Sequence, residues 1–543
     1  MARKKVHTII LCGGIINFAN LPISSNTNNS MIPVNGKPVI GWIIEDLIKK
    51  QIEQATVVLR AENKHLKDFL IRAFQNRLQL QIVELVDSNS ILQSLQTGLA
   101  ALSENLPVQI ILGDTLLKDS YDMEGDFVYV QEVEDSSRWC IAITDNSYQI
   151  ITLLDKQEHI PKPHLALCGY YHFSDIAFLK EQLTLVISKG RKQMSDLLLA
   201  YHHKYKLKAI IATQWFDFGN IDNLINAKQR LLQSRFFNSL SVDPILNTIT
   251  KVSDFDRKLR DELNWYKLLP PVLKVLTPRI ISEKEVDGKL NLVQEYYGYP
   301  TLAELYLFSD LSIDTWRSIF KRLLTLHHTF QNFPHELKVK ELQKVYLNKT
   351  YERVDMLCAD AYWENLFARD EIVYNGKALK NFWLLSEPLR LEVSKLISQT
   401  KGCIIHGDFC FSNILYDLNN QIIRLIDPRG SFGEPGIYGD PRYDMAKLRH
   451  SIAGMYDYIV SDLFEISETE NGFEGKLFNE SSQEELIAEF DSLLVDFGYN
   501  PMEIELIEGL LFISMLPLHQ DKPQRQKMMY MRGLQLLNNV LCE

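Results

Sequence analysis

The chain has 543 residues, 46% hydrophobic and 23% charged, with 58 Lys+Arg against 69 Asp+Glu and a net charge of −11. This balance excludes a disordered, fibrous or coiled-coil chain, and at about 150 residues per domain it calls for two or three domains. The acidic excess argues against a nucleic-acid partner, and no apolar run approaches the roughly 20 residues that span a bilayer, so no membrane insertion is expected.

MARKKVHTIILCGG opens basic and then apolar, as a signal peptide does. No small-residue cleavage site follows, and Gly13-Gly14 starts a polar loop instead. His7–Leu11 is therefore predicted as a buried first strand. ATVVLR, LQIVELV, VQIIL and DFVYVQEV read as further strands, and Pro38–Gln51, Lys64–Leu78 and Ser90–Ser103 carry helical periodicity. Such alternation predicts an α/β domain over residues 1–235, with a mostly parallel sheet and helices on both faces. Next come NTITKV (247–252), a charged helix over Asp254–Leu268 and a Pro270-Pro271 break. VLKVL, RIIS and LNLVQEY complete a small β-rich unit. From Thr301 the chain reads as mainly helical, interrupted by CIIHGDF, ILYD and QIIRLID, so residues 236–543 form a second, α+β domain. The seven cysteines (12, 140, 168, 358, 403, 410, 542) are odd in number, scattered and without a CxxC pair. They suggest neither a zinc site nor disulfides, and fit reduced thiols in the cytoplasm.

The strongest chemical signal is IIHGDFCFSNILYD followed by IIRLIDPRG. Phosphoryl transfer from ATP needs a carboxylate to orient the acceptor hydroxyl, and an amide oxygen plus a second carboxylate to hold Mg²⁺ against the phosphates. Asp408, Asn413 five residues later, and Asp427 after an apolar strand supply those groups in that order. The pattern resembles the aminoglycoside phosphotransferase and choline/ethanolamine kinase family, over about residues 240–543. The resemblance implies a bilobal protein-kinase-like fold (small lobe 240–300, large lobe 301–543), Asp408 as catalytic base, Asn413 and Asp427 as Mg²⁺ ligands, and ATP as donor. It also implies Lys251 as the phosphate-binding lysine paired with Glu262, and a hinge near VQEYYGYPTLAEL whose Glu295–Tyr297 backbone meets adenine. A surface lysine and glutamate would look the same in sequence. Asp427 is followed by Pro-Arg-Gly: Arg429 either pairs with an anionic group near the phosphates or bridges to Asp440 or Asp444. Asp444 supports the loop and opens a helix; His327 and His328 cap or pack one. Tyr351, Tyr362, Trp363 and Trp383 form either an acceptor wall suited to an amino-alcohol or ordinary core.

HTIILCGG and MIPVNGKPVIGWIIEDL (31–47) resemble the sugar-nucleotidyltransferase family, with its Rossmann-like GT-A fold, over about residues 1–235. The resemblance implies a second nucleoside triphosphate (CTP, UTP, GTP or dTTP) at Leu11, Gly13, Gly14 and Lys37. It further implies Mg²⁺ at Asp114 (VQIILGDTLL) and Asp217 (WFDFGNIDN). Backbone amides reach phosphate closely where side chains are absent. The family's G-x-G-T-R loop and Pro-Lys are missing, and no Arg or Lys lies between Lys5 and Lys37. Asn26, Asn28, Asn29 and Ser30 offer neutral donors, which replace a cation poorly. Three explanations stay open: another cation (Lys37, Arg60 or Arg138), charge handled by Mg²⁺ alone, or a nucleotide bound without turnover.

The expectation is a cytoplasmic bifunctional kinase and nucleotidyltransferase acting on small molecules, a sugar, polyol or amino-alcohol, for capsule or other surface polysaccharide. The alternative is a small-molecule kinase with a non-catalytic, regulatory nucleotide-binding first domain. A homo-oligomer stays open.

Overall fold

Strands rich in Ile, Val and Leu, each followed by a stretch of 3.6-residue periodicity, have one stable arrangement: a sheet covered by helices. The structure, a computed structural model, describes residues 6–14, 28–86, 88–102, 106–120, 124–158, 160, 162–219, 221–231, 238–253, 256–309, 311–478 and 483–542. Ser103, Asp254 and the 235/236 cut lie outside these. The described residues fall into two compact units, one up to Leu231 with Phe308 and Ser309, the other made of the rest.

In the first unit, His7–Cys12 pairs in parallel with Gln54–Arg60 and with Val108–Leu112, and Gln54–Arg60 pairs in parallel with Gln79–Leu85. The predicted strands are all present. The helices Val39–Lys49, Lys64–Phe74 and Ile91–Ala100 fall within the predicted spans. The sheet is nevertheless mixed, not mostly parallel. Leu165–Phe173 runs antiparallel to Val108–Leu112, to Phe127–Glu132 and to Cys140–Thr144, which pairs antiparallel with Ile150–Asp155. The reason is connection length: a tight turn joins Thr144 to Ile150, and only a long crossover could return the chain in parallel. The core includes Ile9, Val58, Leu95, Ile110 and Phe173, all almost fully buried.

In the second unit, Asn238–Asp243, Thr248–Ser253, Lys289–Glu295 and Ile280–Val286 form, in that order, a four-stranded antiparallel sheet. The helix Asp256–Leu268 packs on it through Leu259 and Leu263 against Leu290 and Leu292. VLKVL is not a strand. Pro270 and Pro271 carbonyls accept from the Leu273 and Lys274 N–H groups, a turn pattern, and Lys274–Leu276 is a 3₁₀ turn with Val272 and Val275 exposed. Helices dominate after Thr301, among them Ile313–Phe330, Lys349–Leu357, Pro441–Ile452, Pro501–Met515 and Pro523–Cys542. Two hairpins, Glu371–Tyr374/Lys377–Lys380 and Phe464–Thr469/Gly472–Leu477, join in a small sheet that the sequence reading missed. Among the described residues no helix is long and apolar enough to cross a membrane.

Candidate active sites

In the first unit, His7–Cys12 and Val108–Leu112 lie parallel and adjacent, so Gly13-Gly14 and Gly113-Asp114 emerge at the same carboxyl edge, where open α/β sheets place ligands. A Cβ on Gly113 would stand 2.5 Å from Ser30 Oγ and 2.7 Å from Cys12 Sγ, so this close approach requires glycine. Asp217 arrives by another route. Trp215–Asp217 pairs antiparallel with Thr115–Leu117, placing Asp217 opposite Thr115, and the Phe218 N–H donates to the Asp114 carbonyl at 3.0 Å. A Cβ on Gly219 would lie 3.2 Å from Asp217 Oδ1 and 3.7 Å from Asp114 Oδ2, so the two carboxylates converge beside it. Asn223 Nδ2 donates to Asp217 Oδ2 at 2.7 Å. Burial raises the Asp114 carboxyl, against a hydrogen bond from Asn29; burial and then the Asp114 charge push Asp217 up to about 7. Asp114 borders two cavities. One, of about 250 Å³, is also lined by Leu11, Gly13, Gly14 and Arg60; the other, of about 530 Å³, by Asp217, Gly219, Arg138 and Tyr171.

In the second unit, a cavity of about 390 Å³ gathers Lys251, Glu262, Asp408, Asp427 and Arg429. Lys251 is buried, its Nζ 2.8 and 3.1 Å from the two Glu262 oxygens and 2.5 Å from Asp427 Oδ1. Burial works against the ammonium, but Asp427 and then Glu262 raise its pKa beyond the usual lysine value. The His406-Gly407-Asp408 loop hangs on Asp444, whose two oxygens accept the His406 and Gly407 N–H groups at 2.7 and 2.8 Å. His327 packs there too, Nε2 3.2 Å from Asp444 Oδ2. Asp440 caps the helix that carries Asp444. Gly407 holds φ 78°, where a Cβ would meet Arg429 Cβ at 2.8 Å. Asn413 Nδ2 donates to the Asp408 carbonyl at 3.0 Å and to Asp408 Oδ2 at 2.9 Å, leaving its Oδ1 as the atom able to meet a cation. The Asn413 carbonyl accepts the Ile426 N–H at 3.0 Å, which ties that loop to the strand end before Asp427. Asp427 has φ 55°, a conformation uncommon outside glycine. Asp408 and Asp427 thus border one cavity, and Asn413 is bonded to Asp408.

Burial would raise the Asp408 carboxyl, but Lys447, 2.9 Å from Oδ1, with His406 and Arg429, holds it down to about 2. Lys447 was missed in the sequence. The available signal was its spacing: it follows Asp444 by three residues on Pro441–Ile452, one helix face that serves one loop. Arg429 Nη1 donates to the Tyr443 hydroxyl at 2.7 Å, not to Asp440, which Arg442 occupies, nor to Asp444. Glu295 and Tyr297 do not line the cavity. The Glu295 and Tyr296 N–H groups donate to the Arg279 and Asn247 carbonyls, and the Tyr297 hydroxyl donates to Glu295 Oε2 at 2.8 Å. Tyr351 turns to Ser386, Trp363 is core against Phe367 and Tyr530, and none of the four proposed wall aromatics lines the cavity.

Among the described residues, no three of His, Cys, Asp and Glu cluster to hold a metal. Each unit offers two oxygen donors, Asp114 with Asp217 and Asn413 with Asp427. That fits Mg²⁺, which keeps waters and phosphate oxygens and takes few protein ligands. The like charge at Asp114 and Asp217 is what a divalent cation would neutralise.

Comparison with known proteins decides the identity of the first unit. Residues 8–234 match the family described as nucleotidyl transferase. The first unit is a nucleotidyl transferase domain. It is 25% identical over 228 residues to the protein named Bifunctional protein GlmU of Methanocaldococcus jannaschii, covering 41% of this chain and 54% of that protein. It is 24% identical over 233 residues to the Low-salt glycan biosynthesis nucleotidyltransferase Agl11 of Haloferax volcanii, covering 39% and 63%. The chain thus spans little more than half the length of these relatives. Among solved structures, the UDP-glucose pyrophosphorylase of Acinetobacter baumannii aligns at 16% identity and TM-score 0.34, over 41% of this chain and 92% of that one.

Within the nucleotidyl transferase domain, Leu11, Gly13 and Gly14 stand at a cavity wall; Lys37 does not. Its Nζ pairs with Glu45 at 2.6 Å, on the helix that begins two residues later, and sits 5.0 Å from the Trp42 ring. Arg60 takes the place beside the glycines: its Nε donates to the Gly13 carbonyl at 2.9 Å. Arg138 lines the larger cavity, 3.3 Å from Asp135. Asn26 lies outside the described residues.

The raised Asp217 pKa has a sign for stability. The folded chain holds the proton that the unfolded chain releases near 3.8, so stability present at low pH is lost as pH rises towards about 7. Without metal, Asp217→Asn is expected to melt about 3 °C or more above the native chain at pH 8 and level with it near pH 4. Calorimetric scans of both proteins in EDTA check this; parallel pH profiles would refute it.

Proposed function

We propose that the chain is a bifunctional enzyme: the second unit phosphorylates a hydroxyl of a small molecule with ATP, and the nucleotidyl transferase domain joins a sugar, polyol or amino-alcohol phosphate to a nucleotide. The observation that carries the kinase half is the convergence of Lys251, Glu262 and Asp427 on the cavity that holds Asp408, with Asn413 bonded to Asp408. For the other half, support comes from the family match and from Asp114 and Asp217 meeting at the carboxyl edge.

In the second unit, Lys251 holds the α- and β-phosphates and Glu262 positions it. Asp408 orients the acceptor hydroxyl. The hydroxyl oxygen attacks the γ-phosphorus, the bond to the bridging oxygen breaks with its electron pair leaving on ADP, and the proton passes to Asp408. A carboxylate held at about 2 is a weak base, so it takes that proton late, once the new bond has formed. In the first unit, a phosphate oxygen of the sugar attacks the α-phosphorus and pyrophosphate leaves with the electrons of the broken bond. Arg60, at the Gly13 carbonyl, supplies a positive charge on the nucleotide side. Mg²⁺, held by Asn413 and Asp427 and by Asp114 and Asp217, would neutralise phosphate charge at both places. An activated building block for surface polysaccharide is the natural product, in keeping with the glycan-biosynthesis name of the Haloferax relative.

The test has two stages. Mg·ATP with sugars, polyols and amino-alcohols should release ADP. The phosphorylated product with CTP, UTP, GTP or dTTP should then release pyrophosphate. The lack of any Arg or Lys between Lys5 and Lys37 favours a second reading, a kinase with a non-catalytic nucleotide-binding domain. ADP without pyrophosphate from all four nucleotides would establish it, and no ADP from any acceptor would refute the kinase.

A further inference from the structure

The second unit's cavity also bears on what is phosphorylated, an inference that rests on the kinase reading. Its wall comes from two sides. Lys251, Lys258 and Glu262 belong to the four-stranded sheet and its helix; Lys349, Arg353 and Met515 belong to helices later in the chain. Positive charge gathers on the later side. Lys349 and Arg353 are four residues apart on Lys349–Leu357 and so share a helix face, an arrangement that costs helix stability for like charges. Lys349 Nζ and Arg429 Cζ each stand 5.9 Å from the centre of the Tyr443 ring.

Among the described residues none of these three cations is paired with a carboxylate. Arg429 donates to the Tyr443 hydroxyl and Arg353 to the Ser514 carbonyl, while Lys349 meets the Tyr443 ring. Asp408, the cavity carboxylate whose charge reaches Lys349 and Arg429, is matched by Lys447. Burial, then Arg429, Arg353 and Lys447, push Lys349 well below the usual lysine pKa, as expected where positive charge is under-compensated. On the opposite side Lys251 already serves the ATP phosphates in the kinase reading, so this second group of cations is left for another anion.

We propose that the acceptor carries, besides the hydroxyl it presents to Asp408, an anionic group, phosphate or carboxylate, seated by Lys349, Arg353 and Arg429. The hydroxyl oxygen becomes bonded to the γ-phosphorus, ADP leaves with the electron pair, Asp408 takes the proton, and the anionic group is unchanged. Its contacts fix which hydroxyl reacts.

The test uses the full chain loaded with Mg²⁺ and a non-hydrolysable ATP analogue, titrated by calorimetry with inorganic phosphate and, separately, with acetate. Saturable binding of at least one anion is expected. Phosphate alone points to a phosphorylated acceptor and acetate alone to a carboxylated one. Lys349→Gln and Arg353→Gln should each weaken that binding about tenfold or more, and Lys349→Arg should retain it, with the analogue's affinity within about twofold of native throughout. The proposal is overturned if neither anion binds the native protein, or if the glutamine variants bind it as the native chain does. It is also overturned if the variants lose the ATP analogue instead, because the cations would then grip the γ-phosphate. The kinase reading fails separately, by absence of analogue binding to the native protein, and this inference falls with it.

Discussion

Asp408→Asn is expected to lower ADP release by about 10²- to 10⁴-fold, the range for removing a positioned proton acceptor. The substitution keeps the side-chain volume and leaves Asn413 and the Asp444 anchor in place, so the loop should survive; it removes the charge that faces the acceptor and that Lys447 matches at 2.9 Å. Because Asp408 is held near 2, the native carboxylate is charged at every practical pH. The loss should therefore be uniform from pH 5 to 9, with no recovery at high pH. Initial rates of ADP formation across that range, beside a circular dichroism spectrum showing a native fold, measure it. Turnover within tenfold of native would remove Asp408 from the reaction.

The second large effect is expected at Asp114. Asp114→Asn should slow pyrophosphate release by about 10²- to 10³-fold, the scale for losing one preorganised charge at a phosphoryl centre. ADP formation by the second unit should be untouched. The same change relieves Asp217, whose carboxyl is raised by burial and then by the Asp114 charge, so Asp217 should titrate closer to an ordinary aspartate. Pyrophosphate and ADP assays on one preparation separate the two activities. Equal loss of both, or of neither, would contradict the assignment.

Local motifs were legible because short segments fix them. His406-Gly407-Asp408 and Asn413 share one tight loop, and Asp427 ends the strand that returns beside it, so spacing alone brings the three groups together. Lys251 and Glu262 were legible for a similar reason: a strand followed at once by a helix leaves little choice of packing. Contacts made by folding over long separations were not. Lys447 meets Asp408 from a helix whose direction depends on Asp440 and Asp444. Arg60 meets Gly13 because two parallel strands end together. Lys37 failed for the opposite reason, since its nearest acid, Glu45, lies on the adjoining helix and outcompetes a distant ligand. The antiparallel pairing of Cys140–Thr144 with Ile150–Asp155 was hidden by a connection, residues 145–149, that holds neither glycine nor proline to mark it.

Lys251 holds the hand of Asp427 at 2.5 Å while it also rests on Glu262. On the kinase reading proposed above, a metal–nucleotide complex would enter by an exchange of partners at Asp427, whose carboxylate would pass from the ammonium to the ion while Lys251 keeps Glu262 and turns to the phosphates. One ammonium thus clasps two carboxylates, and through them joins the helix that bears Glu262 to the strand end that bears Asp427.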